Sequence, residues 1–276
     1  MVGNFFGYYV KCQGKDDTIA VIFGTADVSF VQIITKDNSY YTEDVDKCDL
    51  DDNAMTLEIK DKDLVVKGEI KFGEFTQIDG DIMGPFRFLP FMECRHMIAS
   101  MRHDINGKIT INGKVYNFDG GLGYIEGDKG RGFPRKYFWT QAHLGTAKSP
   151  VDVSASCAII PYMGVRFKGT ICVVMIKGKE YRLATYKGAK VERFDKSGLV
   201  VRQGELELAI EVLDDKNSRP LKAPTSGKMK RIIHESIQRK VHYKFSDGGK
   251  MLVDESSTRA GFEFSDLTSP QSQPSN

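Results

Sequence analysis

The 276-residue chain is expected to be all-β, two antiparallel β-barrel or sandwich domains packed together, and three observations carry that expectation. Short runs rich in β-branched residues, such as Thr18 to Gly24 (TIAVIFG) and Val28 to Thr35 (VSFVQIIT), are bounded by turn formers, which is the signature of buried strands. No long stretch repeats apolar residues at the i, i+3, i+4, i+7 spacing of an amphipathic helix, and only Lys228 to Ile237 (KMKRIIHESI) reads as a short one. Finally, INGKVYNF at Ile111–Phe118 is echoed by IKGKEYRL at Ile176–Leu183, which points to two copies of one strand-built module.

Along the chain, Asn4 to Lys11 is an aromatic strand broken by Gly7, and rings at that density mark core packing. Ser39 to Asp52 is polar and acidic, a loop or strand edge with a solvated charge run. Met55–Ile59, Asp63–Phe72 and the Gly80 region continue as antiparallel strands between Lys-Asp, Gly-Glu and Asp-Gly turns. Lys108–Ile111 and Lys114–Phe118 form a hairpin, because Asn112-Gly113 supplies the two positive-φ residues of a type I′ turn. Further strands follow over Val153–Pro161, Val165–Ile176, Tyr181–Tyr186, Ala189–Phe194, Gly198–Val201, Glu205–Leu213, Lys240–Phe245 and Gly261–Phe264. His143 to Asp152 (HLGTAKSPVD), rich in Gly, Pro and Ser, is the expected join, giving domains 1–145 and 146–267 and a disordered Ser/Pro/Gln tail at 268–276.

Bulk composition excludes several classes. Hydrophobic residues make up 41% of the chain, enough for a sizeable core, while 39 basic and 37 acidic residues nearly cancel. No long-range field therefore favours nucleic acid or an anionic surface. There is no run long enough for an integral membrane segment, and the start MVGNFFGYYVKCQG lacks the basic and apolar regions of a signal peptide, so a cytoplasmic protein is expected. Five widely spaced cysteines without a Cys-x-x-Cys pair read as free thiols, and the five histidines offer no metal-ligand spacing, so no metal is expected.

The densest chemistry lies in Gly120 to Gln141 (GGLGYIEGDKGRGFPRKYFWTQ), which holds the single tryptophan. Two extended runs flank a glycine-rich charged turn. Strand alternation puts Leu122, Tyr124 and Glu126 on one face, and Tyr137, Trp139 and Gln141 on one face of the next run. Gly120, Gly121 and Gly123 lack the spacing of a phosphate loop and read as kinks in a curved strand. Upstream, in Gly84 to Met101, the same alternation puts Cys94, His96 and Ile98 on one face.

Gly123-Tyr124-Ile125-Glu126, Gly130-Arg131-Gly132-Phe133-Pro134 and Tyr137-Phe138-Trp139-Thr140-Gln141 together resemble the signature of the tocopherol cyclase family and its lipocalin-like two-domain relatives, carotenoid hydratase-like and Diels-Alderase-like proteins included. Phe5 to Lys11 is similar to the family's opening Phe-x-Gly-Trp-Tyr-Phe-Lys with Tyr8 in the Trp place, and His96 to Met101 resembles its His-x-x-x-Ser-Met segment. Gly164–Gly169 and Leu183–Tyr186 look like its C-terminal half. Two positions depart: Lys129 stands where the family has Trp, and Asp128 where it has a short polar residue.

The resemblance implies lipocalin-like domains and a hydrophobic small-molecule substrate. It also implies cofactor-independent ring closure of a prenylated phenol by proton addition to an alkene, a cyclase or isomerase reaction. Such a reaction needs an acid whose pKa burial has raised, and rings to face a developing cation. Glu126 is the candidate acid, Asp128 the second choice and His96 the proton partner, with Tyr8, Tyr124, Lys129, Arg131, Tyr137, Trp139 and Gln141 as pocket residues. A charged Lys129 would meet a carboxylate or phenolate. Two alternatives stay open: a salt bridge from Glu126 to Lys129, Arg131 or Arg135, and a non-catalytic carrier or sensor of a hydrophobic ligand.

Overall fold

The computed structural model describes residues 4–90 and 92–267, for the most part as antiparallel strand. The expected tail at 268–276 lies outside the described residues. In chain order the strands of the first sheet are β1 (Phe5–Gln13), β2 (Thr18–Thr25), β3 (Ser29–Ile34), β4 (Ser39–Thr42), β5 (Asp49–Leu50), β6 (Ala54–Lys60), β7 (Val65–Phe72), β8 (Cys94–Ile111), β9 (Lys114–Asn117) and β10 (Gly121–Gly130). They hydrogen-bond in the order β4-β3-β2-β1-β10-β8-β7-β6-β5, with β9 on β8.

The second sheet holds β11 (Lys136–Thr146), β12 (Ser149–Tyr162), β13 (Val165–Ile176), β14 (Lys179–Ala184), β15 (Lys190–Asp195), β16 (Gly198–Gln203), β17 (Leu206–Val212), β18 (Arg219–Thr225), β19 (Lys228–Asp247) and β20 (Lys250–Asp266). Their order is β14-β13-β12-β11-β20-β19-β17-β16-β15, with β18 on β19. Apart from the side strand, this is the first order repeated with every label raised by ten or, for β8, by eleven. The two-module expectation therefore holds in topology. The sequence echo behind it does not mark equivalent places: Ile111–Phe118 joins β8 to β9, whereas Ile176–Leu183 joins β13 to β14, the counterparts of β3 and β4. What the two segments share is turn chemistry. Asn112 (φ +48°) with Gly113 (φ +84°), and Lys177 (φ +50°) with Gly178 (φ +79°), both place two residues in the left-handed region that a type I′ hairpin needs.

Each sheet rolls around its own apolar core. In the first, Val10, Val21 and Val31 from one end of the strand order share a cluster with Leu57, Val66 and Ile109 from the other. The two ends also meet through polar groups, the Thr42 hydroxyl donating to Asp61 at 2.8 Å. In the second sheet Phe138, Val153 and Val174 share a cluster with Leu199, Leu208 and Phe245.

Contacts divide the chain into a first unit, Met1–Asp81, Arg95–Gly132 and Leu221–Ile232, and a second, Ile82–Cys94, Phe133–Pro220 and Ile233–Asn276. The change of unit at Gly132/Phe133 comes before the expected boundary at 145/146. His143–Asp152 is no linker but the β11–β12 hairpin, registered from His143↔Asp152 to Thr146↔Ser149. Its Gly, Pro and Ser content belongs to a tight turn inside one module. A segment from late in the chain, Leu221–Ile232, returns to the first unit. There Gln32 on β3 clamps Lys222, its amide donating to the carbonyl at 2.9 Å and its carbonyl accepting from the backbone N–H at 2.8 Å.

The expected helix at Lys228–Ile237 is instead the start of β19. Ile233, Glu235 and Ile237 are buried while Ile232 and His234 are exposed, a period of two that the interspersed charges obscure.

Candidate active site

The geometry of β1 and β10 decides which predicted residues can act together. Tyr9 pairs with Glu126, Lys11 with Tyr124 and Gly7 with Asp128. Because directly paired residues point to the same side, Tyr9, Lys11, Tyr124, Glu126 and Asp128 share one face. The opposite face carries Val10, Cys12 and Ile125 into the apolar core. The candidate acid thus lies on the face of its sheet that points away from the core, yet that face is dry: Tyr124 and Lys11 are fully buried and Glu126 is 5% exposed.

Alternation along β10 brings the Tyr124 and Glu126 side chains alongside, and the Tyr124 hydroxyl donates to Glu126 Oε2 at 2.5 Å. His96 arrives on β8, the neighbouring strand, and puts one ring nitrogen at each carboxylate. Its Nδ1 is 3.1 Å from Asp128 Oδ1, and its Nε2 is 3.4 Å from Glu126 Oε2. The second approach is ionic and lacks hydrogen-bond geometry, so Nε2 makes no hydrogen bond among the described residues. The His96 side chain is 12% exposed. Burial by itself would pull the imidazole pKa down, but Glu126, Asp128 and Asp81 override it and raise the pKa from 6.5 to about 9. At that pKa the ring carries a proton on both nitrogens at neutral pH, and of the two only Nδ1 makes a hydrogen bond among the described residues.

Gly123 fixes the approach of β8 to β10. A Cβ there would lie 2.2 Å from Nε2 of His103, a buried ring that bonds Ser100 Oγ through Nδ1 at 2.9 Å and packs on Phe72 and Phe75. Of the three glycines read as kinks, Gly123 is needed for this close contact, and Gly120 (φ +68°) for a turn. In the same unit a cavity of about 880 Å³ is lined by Phe72, Phe75, Ile78, Ile98 and the acidic Asp52 and Glu74, among others. Ile98 stands two residues beyond His96 on the same face of β8, and lining residue Gly80 directly precedes Asp81. With Asn53 and Gln77 also in its walls the cavity is open and more polar than apolar, and His96, Glu126 and Asp128 are not among its lining residues.

The other predicted residues lie on different faces or different strands from the cluster. Tyr8 pairs with Gly127 and packs on the apolar core and on Phe6, so it is on the wrong face to line this cluster; its neighbour Tyr9 takes the place opposite Glu126. Lys129 pairs with Phe6 on that same far face and is exposed, as is Arg131 beyond the strand end. Neither Tyr9 nor Lys11 is among the expected site residues; a lysine inside an apolar strand is a local signal, but only the β1–β10 register places the pair opposite Glu126 and Tyr124.

Tyr137, Trp139 and Gln141 do share a face of β11, but β11 pairs with β12 and β20, not with β10. They belong to the second unit, where Phe138, Ala142 and Leu144 face the core. On their face the Tyr137 hydroxyl donates to Glu263, and His143 Nδ1 lies 2.6 Å from Asp152 Oδ1, all four side chains buried. These partners come from β12 and β20 and have no local sequence signal.

The family profile described as tocopherol cyclase-like matches residues 27–265. The chain belongs to the tocopherol cyclase-like family. A probable chloroplastic tocopherol cyclase of Oryza sativa subsp. japonica is 24% identical over 205 residues, 70% of this chain and 44% of that protein. The chain therefore spans less than half the length of that curated relative. Kievitone hydratase from Nectria haematococca superposes with a TM-score of 0.56 at 10% identity, covering 96% of this chain and 90% of the other. CghA, solved with Sch210972, gives 0.59 at 9%, covering 95% and 88%. At such identities the likeness is one of fold, and it supports the two-domain lipocalin-like architecture.

His96, Glu126 and Asp128 also offer one nitrogen and two carboxylate oxygens within 4.8 Å of one another, a set able to hold a divalent cation. The expectation of no metal rested on sequence spacing, which does not register ligands brought together from β8 and β10. A metal would need His96 deprotonated, against its raised pKa. Among the described residues, no helix is long and apolar enough to cross a membrane.

Proposed function

We propose that this chain is a cofactor-independent cyclase or hydratase-type enzyme that protonates an alkene of a hydrophobic, prenylated phenolic substrate, with the His96–Glu126–Asp128 cluster handling the proton. The observation that carries this reading is the buried His96 ring held between two carboxylates, Glu126 at 3.4 Å and Asp128 at 3.1 Å.

Asp128 positions the ring through Nδ1, leaving Nε2 3.4 Å from Glu126 Oε2, a gap that a small ring rotation closes before the proton passes. An apolar substrate bound against this face strips water from the Glu126 carboxylate and raises its proton affinity. The proton then moves from Nε2 to Oε2, making a neutral acid fixed in place by Tyr124. Glu126 gives this proton to the alkene carbon, leaving a tertiary cation near Tyr9 and Tyr124. The phenol oxygen closes onto the cation, its proton returns to the cluster, and the protein ends in its starting state. Water attacking in place of the phenol gives the hydration product. The rice relative's printed name and the hydratase neighbour fit this pair of outcomes. The reading keeps the protein cytoplasmic, its ligand delivered as a hydrophobic small molecule.

The test is turnover of a prenylated hydroquinone by the full chain in D₂O. One deuterium should appear in the new ring at the former alkene carbon, and Glu126→Gln should lower the rate at least a hundredfold with folding intact, the upper part of the range for general acid catalysis. Recovery of the ligand bound but unchanged makes the protein a carrier. Unaltered turnover by Glu126→Gln removes that residue from the chemistry.

A further inference from the structure

In the second unit two short segments turn large apolar side chains outward. One is a 3₁₀ turn, Gly84–Phe88, where Phe88 is 73% exposed. The other is the tip of the β12–β13 hairpin, where Met163 is 83% and Val165 63% exposed. They are neighbours in space: the Phe86 ring meets Phe167 of β13 edge to face at 6.1 Å. Phe86 also packs on Tyr186, whose hydroxyl donates to the Ile82 carbonyl at 2.9 Å, so the 3₁₀ turn is tied to the unit and its aromatic tip is held outward by design of the packing.

The hairpin tip is equally well defined. Tyr162 pairs with Val165, and Met163 (φ +47°) with Gly164 (φ +84°) makes a two-residue turn. Soluble proteins rarely cluster such side chains at two adjoining protrusions unless something covers them.

Charge decides what. Residues 82–90 and 158–168 contain three cations, Arg87, Arg166 and Lys168, and no Asp or Glu. Arg87 sits 4.5 Å from the centre of the Phe88 ring, which keeps a positive charge beside the exposed aromatic. For the chain as a whole the charges nearly cancel, at +2. The basic excess is thus local and coincides with the apolar tips. Arg87 lies on the exposed ring, and Arg166 and Lys168 alternate with Val165 and Phe167 along β13 next to the hairpin tip; apolar side chains with cations beside them suit the interface of an anionic bilayer, where rings enter the headgroup level and cations meet phosphate.

We infer that these two tips dock the protein on an anionic lipid surface, as a peripheral anchor that spans nothing. The anchor stands independently of the proposed chemistry, though a substrate dissolved in lipid would be met there.

The experiment is co-sedimentation of the full chain with vesicles of phosphatidylcholine alone, and with 30 mol% phosphatidylglycerol added. The wild type should pellet with the anionic vesicles, less with the neutral ones, and be partly released by salt. A doubly substituted protein, Phe88→Ser with Met163→Ser, should bind at least tenfold more weakly, the partition expected for losing two large apolar side chains. Both positions face water, so its unfolding temperature should match the wild type. Arg166→Gln with Lys168→Gln should weaken binding to anionic vesicles about fivefold per charge and leave binding to neutral vesicles unchanged. Wild type that stays in the supernatant with both vesicle types overturns the inference, and so does a serine variant that binds as well as wild type. If the protein ignores vesicles but forms a dimer that the serine variant lacks, the tips are a self-association surface and the lipid assignment is wrong.

Discussion

Replacing Glu126 by Gln is expected to lower the pKa of His96 by at least about one pH unit. Glu126 is the largest of the influences that raise it, ahead of Asp128 and Asp81. At 3.4 Å two unit charges attract by about 5 kcal/mol at an effective dielectric of 20, and by about 1 kcal/mol in bulk water. The site is dry but not sealed, so the carboxylate contributes between those limits, or roughly one to three and a half pH units. Asp128, still 3.1 Å from Nδ1, keeps part of the elevation. Gln retains an acceptor for the Tyr124 hydroxyl, so the strand face is not expected to open. The assay is an NMR titration of the histidine ring protons, with His96 assigned by its loss in His96→Asn among the five histidines. In the wild type His96 should titrate near 9 and in Glu126→Gln at 8 or lower. A wild-type His96 that titrates at or below 6.5, or one that Glu126→Gln does not move, would show that the imidazolium and the carboxylate do not interact, and the proton relay would fall with it.

Three further outcomes follow from the same coordinates. His96 has a folded-state pKa of about 9 against 6.5 unfolded, so its contribution is fully present below pH 6.5 and is lost as pH rises through 9. Denaturant titrations at pH 6 and pH 10 should differ by about 3 kcal/mol more in the wild type than in His96→Asn, and equal differences would contradict the assignment. Gly123→Ala would push a Cβ to 2.2 Å from the His103 ring and should cost about 1 to 3 kcal/mol, read as a lower thermal midpoint with the strand content kept. Burial raises the thiols of Cys12, Cys157 and Cys172, to about 12 for Cys12 and about 11 for Cys172. A thiol reagent should therefore label at most the half-buried Cys48 and Cys94 in the native protein and all five after unfolding, and rapid native labelling of Cys157 would refute that packing.

Much of the fold was legible because it is local. Period-two alternation and the Asn112-Gly113 turn report on contiguous residues, and they located most strands to within a few positions. The misreadings have local causes as well. Charges in Lys228–Ile237 mask the alternation of β19, and Gly145, Ser149 and Pro150 give the β11–β12 hairpin the composition of a linker. The pairing of Tyr124 with Glu126 was readable too, since two residues apart on a strand means the same face.

By itself, then, the sequence determined an all-β chain and a carboxylate set beside a tyrosine on one strand face, since both follow from interactions between near neighbours; that the strands form two like modules is shown by the sheet order. Which strands share a sheet was settled only in three dimensions: β10 and β11, consecutive in the chain, join different sheets, while His96 crosses 32 positions to reach Asp128. The charge on His96 belongs to this second class. It depends on burial and on two carboxylates brought in by strand pairing, and long-range pairing leaves no period in the sequence to read.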